Sequence, residues 1–420
     1  MMCLLKLVTN PLKLKLLTVA TSKIMISASQ FIKYLNAHGV TFFAGVPDST
    51  LSAFCSQLLE SNGIKTQHFI TANEGSAVGL AIGHHLATGE TPCVYMQNSG
   101  IGNAVNPLLS LGAPEVYNIP MLLIIGYRGE PGKADAPQHI KQGMVTESLL
   151  KTMGIPFSKI GNCSDCSEID QNWKSVITDL VRNIKQTGQV NALLVSKGTF
   201  DKCPLPLNPE HLANEDTLMY REKALEIIVS SLPVDSLVIS TTGMTSREVW
   251  EIRNRLNHQQ KDFLVVGGMG HCSQIALAVA LAHPDRPVFC IDGDGSTLMH
   301  MGAIALIGKN APDNFVHVLI NNGAHESVGG HPTLGRFVDF PAIFKACGYK
   351  TTKQVNSDKQ LTTVLTERFS SSPAGNIGTL LLEVIVKAGH RTNLGRPDKS
   401  TKSIKDSFMN YCLNKKPDKN

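Results

Sequence analysis

The chain has 420 residues, 42% of them hydrophobic and 17% charged, with a formal net charge of +5. That length suits two domains and that composition an ordinary globular core. The lysine excess sits at the two ends, at Lys6, Lys13, Lys15 and Lys23 and again from Lys399 to Lys419, so the body lacks the basic, aromatic-interleaved stripe of a nucleic-acid groove.

Residues 1–24 are rich in lysine and leucine and contain no acid, the first acidic residue being Asp48. Pro11 interrupts an apolar run too short to span a bilayer, so no membrane partner is expected. A disordered extension and a mitochondrial targeting peptide both fit, and the lack of arginine counts against the second. From Ser27 onward strands and helices alternate. Thr41–Gly45 reads as a strand, and Pro47-Asp48-Ser49 caps a helix running to Leu59. His68–Thr71 is a strand followed by a Gly- and Ala-rich helix from Glu74 to Ala87. Cys93–Met96 is a strand, Ala104–Leu111 a helix, and Met121–Ile125 a strand. Continuous apolar strands of this kind suit a parallel sheet covered on both faces. The run from Tyr127 to His139 is a polar loop and a candidate cationic lid. Ten cysteines are scattered. The Cys163/Cys166 pair reads as a surface loop, and the set suits free thiols in a reducing, intracellular and cytoplasmic setting.

Pro204, Pro206 and Pro209 mark an extended linker over 201–215. The pattern then restarts with helix Tyr220–Leu232, strand Leu237–Ser240, a helix near Ser246–Arg255, strand Phe263–Val266 and helix Ser273–His283. A βαβ unit follows: strand Pro287–Ile291, the turn Gly293-Asp294-Gly295-Ser296, a helix over Leu298–Ile307, strand Phe315–Ile320 and the turn Asn321-Asn322-Gly323. A last strand covers Leu380–Val386, and from Asn393 the chain becomes a lysine-rich tail expected to be mobile. The expected domains are therefore 25–200 and 216–392, flanked by an extension (1–24) and a basic tail (393–420), each domain an α/β unit with a doubly wound parallel sheet.

Both turns of the βαβ unit lie at carboxyl ends of parallel strands, the edge at which open α/β sheets bind ligands. Asp294, the amide oxygen of Asn322 and the carbonyl of Ala324 make an oxygen set suited to Mg²⁺. Ser296 and the amide of Gly295 can bond phosphate oxygens. Each motif alone is also an ordinary turn. Gly267-Gly268-Met269-Gly270 permits close approach to a flat ring with Met269 beneath it, or is a glycine-rich turn with a core methionine. Thr241-Thr242-Gly243-Met244 could meet the same diphosphate. Glu74 is either a desolvated acid with a raised pKa or a first-turn glutamate favouring the helix dipole. Asn98 to Asn103 lines a pocket or simply caps a helix. His325 and His331 flank a glycine-containing turn beyond the metal residues, and substrate contact suits them better than Mg²⁺ ligation.

Taken together, Gly293-Asp294-Gly295 with Asn321-Asn322, and Glu74 in the first domain, resemble the thiamine diphosphate-dependent decarboxylase family over residues 25–389. The resemblance implies a thiamine diphosphate-binding fold with a pyrimidine domain followed by a diphosphate domain, and the absence of a central third domain suits its short branch. It implies thiamine diphosphate and Mg²⁺ as cofactors. Asp294, Asn322 and Ala324 would hold the metal; Gly243, Met244, Gly267, Met269, Gly293, Gly295 and Ser296 would contact the cofactor. Glu74 would exchange a proton with its pyrimidine ring. The implied reaction is loss of CO₂ from a small 2-oxo acid, 3-phosphonopyruvate giving phosphonoacetaldehyde, with sulfopyruvate as the alternative and a catalytically silent cofactor-binding protein as a third reading. Substrate candidates are Asp48, Ser49, Asn98, Arg128, His139 and His325, with Lys133 and His331 as further donors. The family also implies a homodimer or higher homo-oligomer in which Glu74 faces the partner's Asp294 site.

Overall fold

A computed structural model describes residues 25–61, 66–161, 173–205, 217–370 and 378–413. The first sheet has six parallel strands: β1 (Phe42–Gly45), β2 (Gln67–Ile70), β3 (Cys93–Gln97), β4 (Leu122–Tyr127), β5 (Phe157–Ile160) and β6 (Asn191–Ser196), ordered β2-β1-β3-β4-β6-β5. Its helices are α1 (Ala28–Ala37), α2 (Ser52–Ser61), α3 (Glu74–Thr88), α4 (Ile101–Pro107), α5 (Pro137–Thr152) and α6 (Trp173–Thr187). They cover both faces, one core gathering Phe31, Phe54, Tyr95 and Leu193 and the other Ala77, Met96, Ile125 and Leu194. Two-sided burial is why β1, β3, β4 and β6 are largely apolar runs, whereas β2 and β5 are partly exposed; β5 and β6 are not among the strands expected from the sequence.

The second sheet repeats the plan. Its strands are β7 (Leu237–Ser240), β8 (Phe263–Leu264), β9 (Val288–Gly293) and β10 (Phe315–Asn321), then, past a small antiparallel hairpin of β11 (Ala324–His325) and β12 (His331–Pro332), β13 (Thr351–Val355) and β14 (Leu380–Ile385). The six parallel strands run β13-β14-β10-β9-β7-β8, again with a core on each face. The helices here are α7 (Arg221–Ser230), α8 (Met244–Arg255), α9 (Cys272–Ala282), α10 (Asp294–Met299), α11 (Ala303–Asn310), α12 (Phe340–Ala346), α13 (Asp358–Ser370) and α14 (Thr401–Cys412).

Three expectations need correction. The single helix over Leu298–Ile307 is two, because the first starts on the acidic turn itself and a turn at His300–Gly302 redirects the chain, Ala303 N bonding back to His300 O at 2.9 Å. The candidate lid is short: Pro137, whose fixed φ suits a first helical position, starts α5, so His139 lies in a helix. The tail expected to be mobile contains α14, capped by Ser400; its lysines face water while Ile404 packs into one core of the second sheet and Phe408 into the other. Residues 1–24, Cys163/Cys166, and Pro206 and Pro209 of the expected linker lie outside the described residues. Among the described residues no helix is long and apolar enough to cross a membrane.

Candidate active site

The second sheet delivers its βα turns to one edge, and a cavity opens there. Thr241–Thr245 from the β7–α8 turn, Met269 from the β8–α9 turn, Gly293–Ser296 from the β9–α10 turn, and Asn322 with Ala324–Val328 after β10 line it. Gly243 has φ 96°, a left-handed conformation that turns the chain sharply into α8. Ser296 ties three turns together: its Oγ accepts from Thr241 Oγ1 and from Gly270 N, both at 3.1 Å.

Asp294 is only 3% exposed and burial pushes its pKa up to about 6. It accepts the Thr333 hydroxyl. No cation pairs with it within salt-bridge distance among the described residues, although Arg336 acts on it through space. A buried carboxylate in that condition calls for a positive charge, and a divalent ion supplies one. The paired amides divide their work. Asn321 is committed to the scaffold, donating to Gly335 O at 2.7 Å and Glu383 Oε1 at 2.8 Å. Asn322 lines the cavity, its Oδ1 accepting from Ala324 N at 3.1 Å and keeping a second lone pair. Gly335 leaves no room for a side chain, since a Cβ there would meet Asp294 Oδ2 and Asn321 Oδ1. The donor set therefore fits a small hard cation beside a phosphate-sized cavity.

The β11–β12 hairpin closes one side. It is held by Glu326, which takes Arg221 Nη1 at 3.0 Å, while Arg221 also forks onto Glu248 at 2.7 and 2.9 Å. His325 lines the cavity and its cross-strand neighbour His331 is fully buried, with no hydrogen-bond partner on either ring nitrogen among the described residues. Burial lowers both to about 4, as it does His68, which meets Tyr95 Oη at 2.8 Å. All three rings are neutral at pH 7.

From the first domain, Val46 and Pro47 complete the lining. Beside them Asp48 is fully buried; its Oδ2 accepts from Thr50 N at 2.7 Å and Leu51 N at 3.2 Å, its Oδ1 has no hydrogen-bond partner, and burial raises its pKa. Glu74 is 5% exposed, its pKa raised by burial and only partly offset by Asn103 Nδ2 at 2.7 Å from Oε2. Asn73 caps α3 through Ser76 N and also reaches Met299 O at 3.3 Å, joining the start of α3 to the end of α10.

Of the residues singled out from the sequence, the cavity brings together Gly243, Met244, Met269, Gly293, Asp294, Gly295, Ser296, Asn322, Ala324 and His325. Glu74, Gly267, Asp48, Ser49, Asn98, Arg128 and His139 do not line it. Arg128 is engaged elsewhere: it forks onto Asp135 at 2.7 and 2.5 Å and reaches Ser49 Oγ at 2.6 Å. Asn98 is internal, bonding Arg128 O and Thr146 Oγ1. Val46 and Pro47 are the first domain's contribution to this lining. Sequence reasoning missed Arg221, Thr333 and Gly335, and gave Val46 and Pro47 no site role although they precede Asp48 and Ser49. Pro47 carried a signal as part of a helix cap and Val46 stands next to it, whereas Arg221 reaches the site from the start of α7 and Thr333 and Gly335 from beyond β12.

The N-terminal TPP binding domain of the thiamine pyrophosphate enzymes matches residues 25–149, and their C-terminal TPP binding domain matches residues 241–374. A phosphonopyruvate decarboxylase of Streptomyces viridochromogenes is 34% identical over 398 residues, covering 92% of this chain and 95% of the relative. One of Streptomyces hygroscopicus is 34% identical over 401 residues, 92% and 94% of the two chains. A sulfopyruvate decarboxylase of Methanosarcina acetivorans is 28% identical over 358 residues, 80% and 86%. This chain belongs to the thiamine pyrophosphate enzyme family.

Proposed function

We propose that this chain is a thiamine diphosphate- and Mg²⁺-dependent carboxy-lyase that converts 3-phosphonopyruvate to phosphonoacetaldehyde and CO₂, a step of phosphonate biosynthesis. The observation that carries this reading is similarity to two phosphonopyruvate decarboxylases along nearly the whole of both chains, against weaker and shorter similarity to a sulfopyruvate decarboxylase.

In this reading Asp294, Asn322 and the Ala324 carbonyl hold Mg²⁺, and Gly293, Gly295, Ser296, Gly243 and Met244 surround the diphosphate. Met269 supports the ring system and Gly267 offers it a backbone carbonyl. When bound, thiamine diphosphate supplies the sink for the electron pair left behind as CO₂ departs. Glu74 moves the proton: a desolvated carboxyl with a raised pKa can exchange one with a pyrimidine nitrogen near neutral pH. Asp48 stands at the Val46–Pro47 wall with one oxygen unsatisfied, which suits a polar group turned toward substrate. His325 and His139, both lowered to about 4, would serve as neutral hydrogen-bond donors. Arg128 and Ser49 fix that wall through Asp135, and Asn98 braces Arg128.

A homodimer or larger homo-oligomer is also proposed. Leu80 and Leu86 are exposed on α3, and Gly79 and Gly83 of the same helix leave open space around them. The described cysteines are all free, which suits a reducing cytoplasmic setting. The deciding experiment supplies the protein with Mg²⁺ and thiamine diphosphate and follows CO₂ from 3-phosphonopyruvate, sulfopyruvate and pyruvate. Release from the first supports the proposal. Release from sulfopyruvate alone replaces it, and cofactor uptake without turnover of any supports a silent binding protein.

A further inference from the structure

The proposed substrate is a 2-oxo acid with a second, distal anion, and the cavity itself contains little to hold one. Its lining arginine, Arg221, is neutralised by Glu248 and Glu326. A different set of cations stands at its rim. Arg247 sits in the first turn of α8, half-buried, with Nη1 3.8 Å from the sulfur of Met244, a residue of the cavity wall. Among the described residues no carboxylate pairs with Arg247, Arg396 or Lys197.

These groups come from separate elements and converge. Arg396, on the C-terminal segment before α14, repels the Arg247 guanidinium, whose pKa is lowered by burial first and by Arg396 second. Arg396 also acts on His139 in the first turn of α5, together with Arg128 and Lys197, the latter just beyond β6. Asp135 is the opposing charge there, and it is bound to Arg128. Gln138, next to His139, approaches Gly267 near enough that a Cβ on that glycine would lie 3.6 Å away. The first domain thus reaches the second at Gly267, two residues from Met269 of the cavity wall, and Arg396 acts on charges of both domains.

A half-buried guanidinium without a counterion is costly, and convergence of further cations raises that cost unless an anion is expected. Arginine's planar fork matches the oxygens of a phosphonate, and an unscreened positive cluster at a cleft draws anions in. We propose that Arg247, with Arg396 and Lys197, forms a subsite at the Met244 rim that binds the distal phosphonate of the substrate. This rests on the decarboxylase reading for the identity of the substrate, though not for the presence of an anion site. A phosphonate carries about half a negative charge more than a sulfonate near neutral pH, so the cluster favours the former.

The test compares wild type with Arg247→Gln, Arg247→Lys and the double variant Lys197→Gln/Arg396→Gln. CO₂ release from 3-phosphonopyruvate is measured alongside calorimetric uptake of methylphosphonate and, separately, of thiamine diphosphate with Mg²⁺. For Arg247→Gln we expect KM to rise more than tenfold, with a smaller change in kcat, and methylphosphonate uptake to weaken in parallel. Arg247→Lys should lie between, and the double variant should lose several-fold and show a flatter salt dependence. A KM within twofold of wild type overturns the subsite, and so does an Arg247→Gln defect confined to cofactor uptake. Should wild type fail to decarboxylate phosphonopyruvate yet take up methylphosphonate in an Arg247-dependent way, the subsite stands and the substrate assignment falls. If Arg247→Gln does not fold, Arg247→Lys and the double variant decide: wild-type methylphosphonate uptake in both refutes the proposal.

Discussion

Asp294 and Glu74 are both buried carboxyls with raised pKa values, yet their surroundings differ, as do the tasks proposed for them. Asp294 shares its cavity with an amide oxygen and a carbonyl, whereas Glu74 meets the Asn103 side-chain amide. Asp294→Ala should therefore abolish Mg²⁺-dependent uptake of thiamine diphosphate, read by calorimetry. Glu74→Gln should retain that uptake and lose at least about a hundredfold in turnover, the usual scale of a positioned acid-base group; an active Glu74→Gln enzyme would refute its role. Protonation bears on stability too. His68 and His331 are held near 4, below the ordinary value of about 6.5, so the unfolded chain binds protons more readily than the folded one. The stability they contribute is complete above pH 6.5 and is lost as pH falls toward 4. About 2 kcal/mol per ring should disappear between pH 7 and pH 5, and urea titrations of His331→Gln should show a shallower decline than wild type. Residues at this scale were legible when their signal was local. Gly-Asp-Gly and Asn-Asn each stand within a few positions, whereas Thr333 and Gly335 bear on Asp294 only because β12 folds back across the turn.

At the level of elements, the central strands β1, β3, β4, β7, β9, β10 and β14 were the most legible part, since two-sided burial leaves a largely apolar run in each, whereas β5, β6 and β13 went unread, β5 and β13 being partly exposed. Helices were read less well where charge masks their apolar stripe. α14 is the clearest case: its lysines suggested a solvated tail, and only Ile404 and Phe408 face inward. It is further held by Tyr411, which lies under Lys261 at 4.1 Å and Arg286 at 4.5 Å from the ring centre. Phe408→Ala should cost about 3 kcal/mol by the usual scale of aromatic truncation in a core. Chemical denaturation would measure this, and an unaltered midpoint would mean that the helix is not part of the folded unit. α5 was hidden for a different reason: its first turn is a proline and polar residues, and its core contacts are few, Leu150 being its large buried one.

Across the whole molecule, two α/β halves were legible from the alternation of strands and helices, but their mutual placement was not, because it depends on contacts between residues hundreds of positions apart. The open helical face around Leu80 and Leu86 bears on assembly. Replacing both with glutamate should shift sedimentation from an oligomer to a monomer while far-ultraviolet circular dichroism stays the same, and a wild type that sediments as a monomer would contradict the proposed assembly. Asn73 carries a consequence of its own. One amide seals the first turn of the helix bearing Glu74 and, through the same side chain, grips the last turn of the short helix that Asp294 begins. Rocking of either half would tug on both ends of the machinery together. In the proposed reading the proton-exchanging carboxyl and the metal residues are thus geared to one another, and loosening that latch should make them drift out of step before either is lost.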